Sequence, residues 1–319
     1  MAKVLRIDKR LPDTWQAALS DFLTWKQAQG AAPRTLHDYQ DHIRQFFTRF
    51  PDAYDPQLVR QRVLAYMAED VAPATFNLRR EYLKAFFSWC VREGIFPENP
   101  LAGIPKRKDP GKVRHLPEDV LRELLRLPAR STFSGLRDYA LILLSLATGI
   151  RPGEALALLV EDVDLRGLTV MVRRAVAKTR VERVLPIPPP VADAIRELIA
   201  ARHPAWGEKV PLFCSFSGQR FTVDEWEKRL KKYGARIGTK VTPYMLRHSF
   251  AIETLRARAN AFVVQHMLGH TSMAMTKRYV NLVESDIREA MAQADPLNRL
   301  LPQRQRVCKV RDNALRHGR

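Results

Sequence analysis

Residues 242–280 read TPYMLRHSFAIETLRARANAFVVQHMLGHTSMAMTKRYV. The spacing of apolar residues predicts successive helices here, with three of them expected over 243–290. Arg247 and His248 sit side by side on the first. Gly269, inside the Leu268-Gly269-His270 turn, suits the left-handed residue that closes the second. The third is short and basic and ends on Arg278-Tyr279.

Working outward, a second marked run is ATGIRPGEALAL at 147–158. Pro152 tolerates the first helical position because its missing N–H is unpaired there anyway, so Arg151 falls at a helix start. Glu154 follows one turn later, placed either to orient Arg151 or to favour the helix dipole. Ahead of this run, Arg137 to Leu146 is apolar enough for a helix at a domain centre. Alternation in LTVMVRRAV and the return ERVLPIP make 165–187 the β region, with AKTRV as its turn and Lys178 in that turn. Pro188-Pro189-Pro190 is expected to end the sheet, with helices at 191–202 and 223–236 after it.

The N-terminal part has no alternating pattern. Trp15, Leu19, Phe22 and Leu23 begin one helical face, and Leu36, Tyr39, Ile43, Phe46 and Phe47 another, with Thr35 a candidate cap. Two further helices are expected near 56–69 and 73–93. Gly94, Pro97 and Pro100 stop the last of them. PKRKDPGKVRH (105–115) then carries five Lys or Arg against one Asp, the composition of an exposed linker. The organisation expected is a helical domain at 10–102, a basic linker at 103–115, a mixed domain at 116–296 and a basic tail at 297–319. The fold class is mostly α with a small β-sheet.

Composition narrows the partner. Fifty-three Lys and Arg against 34 Asp and Glu give a formal charge of +19, which draws a chain toward a polyanion, nucleic acid first. Cys90, Cys214 and Cys308 share no metal-ligand spacing and read as reduced thiols. No run reaches ~18 apolar residues and the N-terminus has no apolar signal core. The chain is expected to be cytoplasmic, with no membrane partner.

Arg151, Lys178, Arg247, His270 and Tyr279, in this order and in these settings, resemble the active-site set of the tyrosine site-specific recombinases, the phage-integrase and Xer group. The likeness extends over nearly the whole chain. It implies an N-terminal core-binding bundle and a C-terminal catalytic domain closing as a C-shaped clamp on double-stranded DNA recombination sites. It implies that Tyr279 attacks a phosphodiester to leave a 3′-phosphotyrosine and a free 5′-hydroxyl. Arg151 and Arg247 would hold the non-bridging oxygens, because guanidinium stays charged and presents paired donors to phosphate. Lys178 would protonate the leaving oxygen, with Arg180 and Lys240 as cationic alternatives. His270 would bind the phosphate or assist the nucleophile. The family places histidine three residues before the second arginine, where this chain has Tyr244, either a substitute phosphate donor or a packing residue. His248 is expected to point elsewhere and to stabilise the fold. Tyr233 lacks the setting of a nucleophile.

The resemblance further implies four protomers on two sites, strand exchange through a Holliday junction, and no metal or nucleotide cofactor. It also allows an accessory DNA-bending or directionality protein. The basic tail, Tyr244 and a length slightly above a minimal member lean toward a mobile element. A type IB topoisomerase-like enzyme and a non-catalytic DNA-binding protein of the same fold are the competing expectations.

Overall fold

The computed structural model of the chain describes residues 11–109, 113–177 and 181–283. It divides into two units, Met1–Lys112 and Val113–Arg319, and the division falls inside the segment expected to be the linker.

Among the described residues the first unit has four α-helices: α1 (Trp15–Ala28), α2 (Pro33–Arg49), α3 (Val59–Ala68) and α4 (Pro73–Glu93). Its centre is aromatic, with Phe22, Phe46, Phe47, Phe86 and Phe87 almost without exposure. Phe22 meets Phe86 edge-on at 5.5 Å and Phe46 meets Phe87 at 6.1 Å, the arrangement ring quadrupoles favour. One expectation is corrected at a helix end. Ala32 rather than Thr35 precedes α2, because Pro33 takes the first helical position. The basic stretch after Ile104 is exposed but fastened to α4. Asn77 exchanges two hydrogen bonds with the Arg107 backbone, each 2.9 Å, and the Arg107 guanidinium lies 3.9 Å from the Phe76 ring centroid.

The second unit runs α5 (Glu118–Arg126), α6 (Phe133–Thr148), α7 (Pro152–Ala155), β1 (Val163–Asp164), β2 (Thr169–Val172), β3 (Arg183–Pro186), α8 (Pro189–Ala200), α9 (Val223–Arg236), α10 (Pro243–Arg256), α11 (Ala261–Leu268) and α12 (Met273–Val280). The sheet is antiparallel in the order β1-β2-β3, and its register pairs Val170 with Leu185 and Val172 with Arg183. The β region is shorter than the alternation suggests, since β2 gives way to a turn after Val172. Nor do the prolines lie outside the next helix: Pro189 and Pro190 form the first turn of α8, where neither N–H is needed.

Helix α6 is buried nearly all round and packs on α8 and α10. A polar lock joins it to α9. Asp138, fully buried, accepts from Arg137 at 2.7 Å, from Arg229 Nε at 2.7 Å and from the Tyr233 hydroxyl at 2.8 Å. A buried carboxylate needs such partners, since leaving one uncompensated is costly. Among the described residues, no helix is long and apolar enough to cross a membrane.

Candidate active site

Two left-handed glycines bring the site together. Gly149 ends α6 at φ +62°, and a Cβ there would meet Phe250 at 2.3 Å and Leu268 at 2.7 Å. Gly269 ends α11 at φ +61°, and a Cβ there would lie 3.0 Å from the Arg183 guanidinium carbon and 3.2 Å from Arg151 Nη1. Only glycine takes this backbone without strain while letting two guanidiniums approach so closely.

Both arginines are held by backbone carbonyls exposed at those helix ends. Arg247, 4% exposed on α10, donates to Gly149 O at 2.5 Å and Leu268 O at 2.9 Å. Arg151, at the start of α7, donates to Gly269 O at 2.7 Å and Glu154 Oε1 at 3.1 Å. Burial, then the neighbouring Arg151 charge, pull Arg247 down to about 10, so it is still cationic at neutral pH.

Arg183 is a third cation in the same place. It opens β3 on the buried face, donates from Nε to Met267 O at 3.1 Å and meets Glu154 Oε2 at 2.5 Å. Burial works against the Glu154 charge, but Arg183 and Arg151 outweigh it and hold the carboxyl below the usual glutamate range.

His270 follows Gly269. Its Nε2 lies 3.0 Å from Arg247 Nη2, and its Nδ1 lies 2.9 Å from Thr276 Oγ1. A guanidinium can only donate, so Nε2 is the acceptor and the proton resides on Nδ1, facing the threonine. Burial, together with Arg247, Arg151, Arg183 and His248, lowers His270 to about 4, so the ring is neutral at neutral pH.

Tyr279 lies on α12, 5% exposed, its ring stacked against His270 at 6.2 Å and 8°. Its hydroxyl lies 2.8 Å from His248 Nδ1. Burial raises this phenol above the ordinary tyrosine value, while Arg247, Arg278 and Arg151 pull the other way. Tyr233 is otherwise placed: burial and then Asp138 push its phenol up to about 12, and its hydroxyl is committed to the α6–α9 lock.

The structure therefore brings Arg151, Arg247, His270 and Tyr279 together. Tyr244 stands on the first turn of α10 and is 53% exposed. Lys178 and Arg180 lie outside the described residues. His248 does not point elsewhere: because α10 is covered by its neighbours on several sides, the residue beside Arg247 still faces α12. In the sequence Arg183 reads only as part of the hairpin return. Strand alternation carries its signal, since Arg183 shares a face with Leu185 and a buried arginine implies a buried partner.

Comparison with known proteins gives the family. Residues 114–285 match the phage integrase family. The tyrosine recombinase XerC of Thermodesulfovibrio yellowstonii is 27% identical over 297 residues, covering 89% of this chain and 98% of that protein. The tyrosine recombinase XerA of Thermococcus kodakarensis is 30% identical over 291 residues, covering 89% and 97%. Among solved structures, the XerH site-specific recombinase in its post-cleavage complex with a palindromic difH substrate aligns with a TM-score of 0.68 at 20% identity, over 89% of this chain and 98% of that one. A lambda integrase (75-356) dimer bound to a COC' core site aligns with a TM-score of 0.68 at 19% identity, over 83% and 94%. These two establish likeness of fold.

Proposed function

Because the chain belongs to the phage integrase family and is a tyrosine recombinase, we propose that it cuts and rejoins DNA strands through a covalent 3′-phosphotyrosine on Tyr279. The observation that carries this reading is the convergence of two buried arginines and a neutral histidine beside one buried tyrosine.

In the proposed reaction the Tyr279 oxygen attacks phosphorus, the P–O5′ bond breaks, and a 5′-hydroxyl is released. Arg151 and Arg247 stabilise charge gathering on the non-bridging oxygens, which fixed donors do best when already oriented. Their carbonyl and carboxylate partners supply that orientation. His270, with Nε2 toward Arg247, fixes the outer side of that guanidinium. Tyr244, exposed at the helix start, donates its phenolic hydrogen to a non-bridging oxygen. Lys178 protonates the departing O5′. Attack by a 5′-hydroxyl from a partner duplex reverses the chemistry and conserves the bond, so no cofactor energy is required. Four protomers on two duplexes would exchange strands through a Holliday junction. The first unit and the +19 charge supply phosphate contacts that hold the DNA.

The test is covalent capture. Nicked duplexes from a random-sequence pool, in which the released strand diffuses away, are incubated with the protein and resolved on denaturing gels. The expected result is a protein–DNA adduct that Tyr279→Phe abolishes. Sequence-specific binding without adduct would instead indicate a non-catalytic DNA-binding protein.

A further inference from the structure

A phenol attacking phosphorus must lose its proton, and the site holds two histidines near Tyr279. His270 is poorly placed to receive it. Its Nε2 faces the Arg247 guanidinium at 3.0 Å, its Nδ1 is engaged by Thr276, and its ring lies flat against the Tyr279 ring rather than in line with the hydroxyl. Protonating Nε2 would set two cations against each other.

His248 has the complementary geometry. Its Nδ1 is 2.8 Å from the Tyr279 oxygen, with the two rings tilted at 47° and their centroids 5.6 Å apart. That is hydrogen-bonding reach for a direct transfer. The groups acting on it are Tyr279 from α12, His270 from the turn before α12, and Arg247 from its own helix. Burial, then Arg247, keep the imidazole neutral, which is the form able to accept.

We propose that His248 is the general base of strand cleavage, resting on the reading of Tyr279 as nucleophile given above. As the Tyr279 O–P bond forms and the P–O5′ bond breaks, the phenolic proton passes to His248 Nδ1. The departing O5′ takes its proton from the separate acid assigned to Lys178. On rejoining, the attacking 5′-hydroxyl returns a proton to that lysine, and imidazolium His248 protonates the departing Tyr279 phenolate. His248 thus touches a reacting atom in both directions.

The experiment compares single-turnover adduct formation on a nicked duplex captured from the random pool by the parent protein. His248→Gln and His248→Ala are measured with ordinary tyrosine at 279, and again with trifluorotyrosine there, whose phenol ionises far more readily. A general base contributes about 10²–10⁴-fold, so each variant is expected to lose about 10²-fold with ordinary tyrosine. With the fluorinated phenol the loss should shrink to within about fivefold, because little proton transfer remains to be assisted. A loss of equal size in both backgrounds would make His248 a packing residue and overturn the assignment. So would a His248→Gln protein that reacts at the parent rate. A parent protein that captures no duplex would overturn the functional reading itself, and this assignment with it.

Discussion

The Arg183 guanidinium and the Glu154 carboxylate meet at 2.5 Å with side-chain exposures of 3% and 2%, and the same carboxylate holds Arg151 at 3.1 Å. One buried anion thereby ties β3 to the arginine at the start of α7. Removing one member of a buried pair leaves an uncompensated charge, which costs more than the pair itself contributes. Arg183→Met is expected to destabilise the second unit by about 3 kcal/mol, the low end for breaking a buried pair, because Glu154 keeps Arg151. Combining it with Glu154→Gln should cost less than the two single changes added together. Urea denaturation of the four proteins decides; strict additivity would show that the two side chains are not coupled.

Gly269 and Gly94 both have positive φ, at +61° and +84°, but a Cβ at Gly94 meets nothing within 4 Å. Gly94→Ala should therefore show backbone strain alone, about 1 kcal/mol. Gly269→Ala adds contact with Arg151 and Arg183 and should lose about 2–3 kcal/mol. Because small misplacements of catalytic groups are expensive, it should also slow adduct formation by at least about tenfold, whereas Gly94→Ala leaves that rate unchanged. Equal effects at the two positions would sink the claim that Gly269 is required by the arginines.

The sequence was informative wherever a residue's role is set by local chemistry. Arg151 precedes a proline that can only begin a helix, and His270 follows a glycine suited to ending one. Tyr279 comes in the basic helix after that turn. The residues that escaped depend on partners distant in the chain. Arg183 acts through Glu154, 29 positions away, and His248 meets Tyr279, 31 positions away. No local periodicity reports which side of α10 faces α12, since that helix is buried on more than one face. The Pro189-Pro190 pair shows the reverse case. The residues that stop a strand are the same ones that start a helix, and composition alone does not say which end they serve.

Tyr244 occupies the first turn of α10 and is 53% exposed. Removing its hydroxyl should change stability by no more than about 0.5 kcal/mol, as for other surface changes. If the phenol donates to a non-bridging oxygen, Tyr244→Phe should slow adduct formation by about 10²-fold, the loss typical of one such donor. Tyr244→His should retain cleavage. Indistinguishable rates for Tyr244→Phe and the parent would remove Tyr244 from the proposed chemistry.

His270 makes stability depend on pH in a defined direction. Its folded value, about 4, lies below the ordinary histidine value near 6.5, so between these pH values the unfolded chain binds more protons. The contribution of neutral His270 is complete above about pH 6.5 and is lost as pH falls toward 4. Screening of a partly exposed ring limits it to roughly 1–2 kcal/mol. His270→Gln removes this titration while keeping a hydrogen-bonding side chain. Its stability should fall less steeply than the parent's over that window, so that the two curves converge toward acid. Parallel curves from pH 7 to pH 4 would mean that His270 titrates alike in the folded and unfolded chains. The arginine cluster would then not be setting its charge.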